Sequence, residues 1–186
     1  MLDSDEVARP RRRKRPTGLQ GQWVEACYSD RVDAAITFAV LGALARRGVR
    51  FKIVGGVALN LAGLPRATQD LDIFVDPTAE NVAQLRQALH DVFEDPSIDQ
   101  ISADDLAGPY PAIQYVPPEG DFHIDILAKL GEAFDYASIE TELRDIEGMR
   151  LSVATPRMLF LMKRDTVRMQ DRADAERLQR HFRWEP

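Results

Sequence analysis

A hydrophobic stretch ending at Val54 is followed by Gly55-Gly56 and, after thirteen intervening residues, by Asp70-Leu71-Asp72. This spacing constrains the fold more than any other feature of the chain. Residues 49–54 alternate as Val-Arg-Phe-Lys-Ile-Val, the period of a half-buried strand. Residues 56–63 have room for a short helix, and Gly63-Leu64-Pro65 turns the chain. Residues 69–75 then return as a second strand. The expected unit is strand, glycine turn, helix and acidic strand.

Side chains alternate along a strand, so Leu71, Ile73 and Val75 are expected in a core, with Asp70, Asp72, Phe74 and Asp76 on the opposite face. Asp70 and Asp72 would stand roughly 7 Å apart on that face. Carboxylates at this spacing suit one or two Mg²⁺ ions, which take oxygen ligands and bound phosphate; a solvated acidic face is the rival explanation. Adjacent strands run about 4.8 Å apart, so a third carboxylate is expected on a neighbouring strand. Asp121-Phe122-His123-Ile124-Asp125-Ile126-Leu127 supplies one: with Phe122, Ile124 and Ile126 inwards, His123 and Asp125 share the face of the first pair. Asp125 is the expected general base, or a further metal ligand. His123 reads as a structural or rim residue. Gly55 and Gly56 let backbone N–H groups approach phosphate oxygens, although a Gly-Gly alone is equally a tight turn.

These residues, Gly55-Gly56-Val57-Ala58-Leu59-Asn60 through Arg66-Ala67-Thr68-Gln69-Asp70-Leu71-Asp72, resemble the nucleotidyltransferase superfamily that includes DNA polymerase beta. Within it the likeness is to the minimal nucleotidyltransferases and the AbiEii-type toxin nucleotidyltransferases. Many members have Gly-Ser where this chain has Gly55-Gly56. Arg66-x-Thr68-x-Asp70-x-Asp72 looks like the AbiEii-type pattern. Arg66 would neutralise triphosphate charge or stay a surface arginine in a turn; Thr68 would join the nucleotide site or satisfy local backbone groups. The run Thr155-Pro156 to Lys163, with Arg168, Asp171 and Asp174 beyond it, resembles the family's closing helices. The resemblance implies that Lys163 reaches the nucleotide phosphates, against a solvated lysine on an amphipathic helix. Asp171 reads as a helix N-cap with Asp174 in a capping-box-like pair, and a role for Asp174 stays open. The resemblance covers roughly residues 30–182, and the chain is shorter than many AbiEii-type toxins.

The implied fold is an α/β (α+β) polymerase-beta-like domain: a mixed sheet flanked by helices, with C-terminal helices. Further elements are expected as follows. Ser29-Asp30 opens a helix with Val32, Ala35, Ile36, Ala39, Val40, Ala43 and Leu44 inwards, and Gly48 stops it. Another helix follows Asp76-Pro77-Thr78, with Val82, Leu85, Leu89 and Val92 inwards. Residues 95–110 read as loop with one short strand near 98–102. Strands follow at 112–116 and 121–127, then a hairpin of 143–147 and 150–153. Helices close the chain from Thr155-Pro156 to about 169 and from Asp171 to about 182.

Charge divides the chain in two. Residues 9–15 hold six basic residues, leaving the first sixteen at +3 and, with −6 for the whole, the rest at −9. Residues 1–20 are expected to be a disordered basic arm, and residues 21–186 one nucleotidyltransferase domain. The arm suits a polyanion such as RNA, or serves as a solvated tail. No apolar run reaches membrane-span length, and Cys27, the single cysteine, forms no internal disulfide framework, so a cytoplasmic home without membrane contact is expected.

Together these imply a Mg²⁺-dependent enzyme (two ions, or Mn²⁺) that moves a nucleoside monophosphate from an NTP to an acceptor hydroxyl. That acceptor would be a tRNA 3′ end or a protein side chain, within a toxin–antitoxin pair that supplies a cognate protein partner. A small-molecule acceptor such as an antibiotic, a non-catalytic nucleotide- or partner-binding module, and a nucleic-acid binder built on the arm are the alternatives.

Overall fold

The computed structural model of the protein describes residues 34–68, 70–118 and 122–185. The expected basic arm, Cys27 and the helix start at Ser29-Asp30 lie outside the described residues.

Helix α1 (Ala34–Arg46) buries Thr37, Val40, Leu41 and Leu44. Its buried stripe is rotated from the expected one, leaving Ala35 and Ala39 exposed. The larger side chain of Leu41 takes the core position, which buries more apolar area than an alanine would. Gly48, at φ +65°, ends the turn that leads into β1 (Phe51–Ile53). The glycine pair opens α2 (Gly55–Leu61), and β2 (Asp70–Val75) follows. Helix α3 (Ala79–His90) starts at Thr78, whose hydroxyl accepts from Asn81 N–H.

Residues 96–107 form no strand. They hold a 3₁₀ turn (Pro96–Gln100) and helix α4 (Ala103–Ala107). The reason is local capping. Asp95 accepts from Ser97 N–H at 2.9 Å and Ser102 from Asp105 N–H at 3.1 Å, so each side chain starts a helical turn. Strands β3 (Ala112–Tyr115) and β4 (His123–Leu127) come next, then a small hairpin of β5 (Lys129–Leu130) and β6 (Phe134–Asp135). Two-residue strands carry too little alternation to be read from sequence. The hairpin β7 (Thr141–Ile146) and β8 (Met149–Ala154) turns at Glu147 and Gly148, both at positive φ, as a two-residue turn between twisted strands requires.

Helix α5 (Pro156–Arg164) has the expected Thr155 cap but stops five residues before position 169. Helix α6 (Met169–His181) then runs to the C-terminal tail.

The six-stranded sheet has the order β3-β4-β2-β1-β8-β7. β2 is parallel to β4 and antiparallel to β1, and β1 is parallel to β8. This mixed sheet with flanking helices is the expected fold class. The acidic strand sits at its centre, where Leu71, Ile73 and Val75 are fully buried. Phe74 departs from expectation: although it shares parity with the aspartates, it too is fully buried. The face that carries Asp70 and Asp72 is thus covered one step further along. Asp76 leaves the strand and accepts from Arg50 Nε at 2.7 Å.

Candidate active site

The parallel register of β2 and β4 sets the site. Asp70 lies opposite His123 and Asp72 opposite Asp125, with Leu71 and Ile124 buried between them on the other face. Alternation on two adjacent strands therefore places all four polar side chains on one surface. The side-chain donor atoms of Asp70, His123 and Asp125 lie within 4.8 Å of one another. His123 Nε2 stands 3.9 Å from Asp70 Oδ2. Sequence reasoning ranked His123 as a rim residue, and the structure brings it into the cluster. The signal was present in the alternation, which already put His123 on Asp125's face.

On that surface Asp72 lies against the glycine turn. Val54 N–H donates to the Asp72 carbonyl at 3.1 Å, tying the end of β1 to β2. Gly55 adopts φ +62°, and a Cβ there would stand 1.8 Å from Asp72 Oδ2. A Cβ on Gly56 would stand 2.5 Å from Thr68 Oγ1. Neither position has room for a side chain, and Gly55 also needs left-handed backbone. The half-buried Asp72 has its pKa pushed up to about 6. Burial is the main cause, followed by the charges of Asp70 and Asp125; a hydrogen bond from Gly56 N–H and the charge of Lys163 pull the other way. Two neighbouring carboxylates that raise the proton affinity of Asp72 make a site short of positive charge.

The remaining partners are side chains. Thr68, which is buried, donates from Oγ1 to Asp70 Oδ1. Gln114, across from Asp125 on β3, donates from Nε2 to Asp125 Oδ1 at 2.9 Å. Gln114 was not singled out from the sequence. Its strand was, but the antiparallel partner of β3, and so the residue that meets Asp125, is a tertiary fact.

Lys163 is buried between α5 and α6. Its Nζ donates to Asp171 Oδ1 at 2.6 Å and lies 3.4 Å from Asp174 Oδ2. Arg66 donates from Nη1 to Asp174 Oδ2 at 3.0 Å, and its backbone N–H to Asn60 Oδ1 at 2.6 Å. Asp174, 3% exposed, thus joins the two cations the sequence pointed to. Asp171 is not the expected N-cap. Arg168 holds that position, and Asp171 sits in the first turn of α6 with its carboxylate spent on Lys163. A buried ammonium outcompetes the backbone for that carboxylate because an unpaired buried charge is far costlier than a frayed cap.

The donor set suits a divalent cation: two carboxylates and one imidazole converge, and a third carboxylate flanks them. Among the described residues no helix is long and apolar enough to cross a membrane. A search of curated proteins finds no match to the chain. The family model described as nucleotidyl transferase AbiEii toxin, type IV toxin–antitoxin system, matches residues 42–182, a span that contains the glycine turn, the acidic strands and both closing helices. The chain therefore belongs to the AbiEii nucleotidyltransferase toxin family.

Proposed function

We propose that this protein transfers a nucleoside monophosphate from an NTP to an acceptor hydroxyl, a tRNA 3′ end or a protein side chain, as the toxin of a cytoplasmic toxin–antitoxin pair. One observation carries this reading: Asp70 and Asp72 stand in register with His123 and Asp125, beside a glycine turn that has no room for side chains.

Asp70, Asp72 and Asp125 would hold Mg²⁺ or Mn²⁺. When bound, such an ion supplies charge neutralisation and polarises the phosphoryl oxygens. The backbone of Gly55 and Gly56, with Thr68 alongside, would face the triphosphate. Lys163, whose charge acts on Asp72, and Arg66, joined to it through Asp174, would add positive charge to the site. Asp125, held by Gln114, accepts the proton of the acceptor hydroxyl. The acceptor oxygen then bonds to the α-phosphorus. The bond from that phosphorus to the bridging oxygen breaks, and pyrophosphate leaves with the electron pair. Residues 21–186 would form this catalytic domain, and the basic residues 9–15 would engage an RNA acceptor.

The test is incubation with each labelled NTP, Mg²⁺ or Mn²⁺, and total RNA or cell lysate. Label should move to an acceptor and be lost in Asp72→Ala. NTP binding with no transfer to any acceptor would instead make the domain a binding module.

A further inference from the structure

We propose that His123 is a direct ligand of the cation held by Asp70 and Asp125, and that its nitrogen turns the site towards Mn²⁺ and away from Mg²⁺. The inference rests on the metal-dependent reading of the site and goes beyond it to the donor set and the choice of ion.

Three observations support it. His123 and Asp125 are two residues apart on β4, so both side chains leave the same face, and the parallel register sets His123 directly beside Asp70. The three donor atoms lie within 4.8 Å of one another. Three donors about 2.2 Å from one cation stand about 3–4 Å apart, so the 3.9 Å between His123 and Asp70 nearly meets the requirement and the remaining separations close by no more than about 1 Å. Finally, no competing hydrogen bond of the imidazole occurs among the described residues. Its 3.9 Å approach to Asp70 Oδ2 is too long for a hydrogen bond, and no other ion pair of His123 occurs among the described residues. The side chain is one-quarter exposed, so a metal can reach it.

The chemistry then follows from donor type. Mg²⁺ prefers an all-oxygen octahedron, whereas imidazole nitrogen suits first-row transition ions, among which Mn²⁺ also accepts carboxylates and phosphate. A site built from Asp70, Asp72 and Asp125 alone would favour neither ion through nitrogen. A nitrogen donor is tolerated better by Mn²⁺ than by Mg²⁺, so His123 gives selectivity between two ions of equal charge.

The full, tag-free chain tests this without any turnover. Mn²⁺ is added without nucleotide, and electron spin-echo modulation is recorded on protein carrying ¹⁵N-histidine and on unlabelled protein. The chain has three histidines, of which His90 already pairs with Asp99 at 3.0 Å, so a coupled nitrogen is assignable with His123→Ala. A directly bound nitrogen whose coupling changes with the label and vanishes in His123→Ala is expected. Calorimetry should show Mn²⁺ binding weakened by about tenfold or more in His123→Ala, with Mg²⁺ binding changed by less than about threefold. Bound Mn²⁺ without nitrogen coupling in the native chain would overturn the proposal, whether or not the variant folds. Should Asp70→Ala and Asp125→Ala abolish Mn²⁺ binding while His123→Ala leaves it intact, the metal centre stands and His123 drops out of it. Failure of the native chain to bind either ion without nucleotide would overturn the proposal for His123, and failure also with a non-hydrolysable NTP analogue present would remove both readings.

Discussion

Gly55 carries two constraints at once, a left-handed backbone and contact with the Asp72 carboxylate. Alanine there pays for strained backbone and must also displace Asp72. Gly55→Ala is expected to lower stability by about 1–3 kcal/mol and label transfer by at least about 100-fold, read by thermal melts and the transfer assay. Asp72 itself predicts a pH dependence. Its folded pKa of about 6 lies above the ordinary carboxylate value of 3.8, so the native state binds more protons than the unfolded one between these values. In metal-free protein its contribution to stability therefore falls as pH rises from about 4 to 6, and stays low above that. Asp72→Asn in EDTA should stabilise the chain by about 1–3 kcal/mol at pH 7.5, and by much less at pH 4.5, in urea unfolding. The aspartates and glycines were legible because strand parity and spacing are local. The press of Asp72 on Gly55, and of Thr68 on Gly56, was not, since it depends on how closely β1 and β2 end against each other.

Between elements, the α5–α6 junction is where local rules gave the wrong answer. Thr155-Pro156 correctly signals the start of α5, because cap and proline act within one turn. The end of α5 and the start of α6 were misplaced because Asp171 serves Lys163 across the helix pair rather than its own backbone. Asp174 is the keystone of this junction, joining α6 to Lys163 on α5 and to Arg66 before β2. Asp174→Ala leaves buried cations short of a partner. It should cost about 3–5 kcal/mol in urea unfolding, and Asp174→Asn measurably less, because the amide still accepts hydrogen bonds. A surface salt bridge such as Arg164–Asp165 serves as the control, with Asp165→Ala changing stability by less than about 1 kcal/mol.

For the whole molecule, the first sixteen residues carry +3 and the rest −9. If the arm meets an RNA acceptor, deleting residues 1–16 should weaken RNA modification and flatten its dependence on salt, while NTP binding to the body is unchanged. Modification that persists at the same rate across 50–200 mM salt would show the arm to be dispensable. The sheet brings the other large-scale parts together. Strands distant in sequence, β2 and β4, become central neighbours, and β3 adds Gln114 to the edge of the site.

The chain's own order of residues was enough to specify the mixed α/β fold class, the acidic strand and its partner, because hydrophobic alternation and turn residues act over a few positions. Register, the outward company of His123 and Gln114, the burial of Phe74 and the employment of Asp171 and Asp174 were decided by tertiary structure. Each depends on which strands and helices meet, and on the high cost of leaving a buried charge alone, and neither is written in any short stretch of sequence.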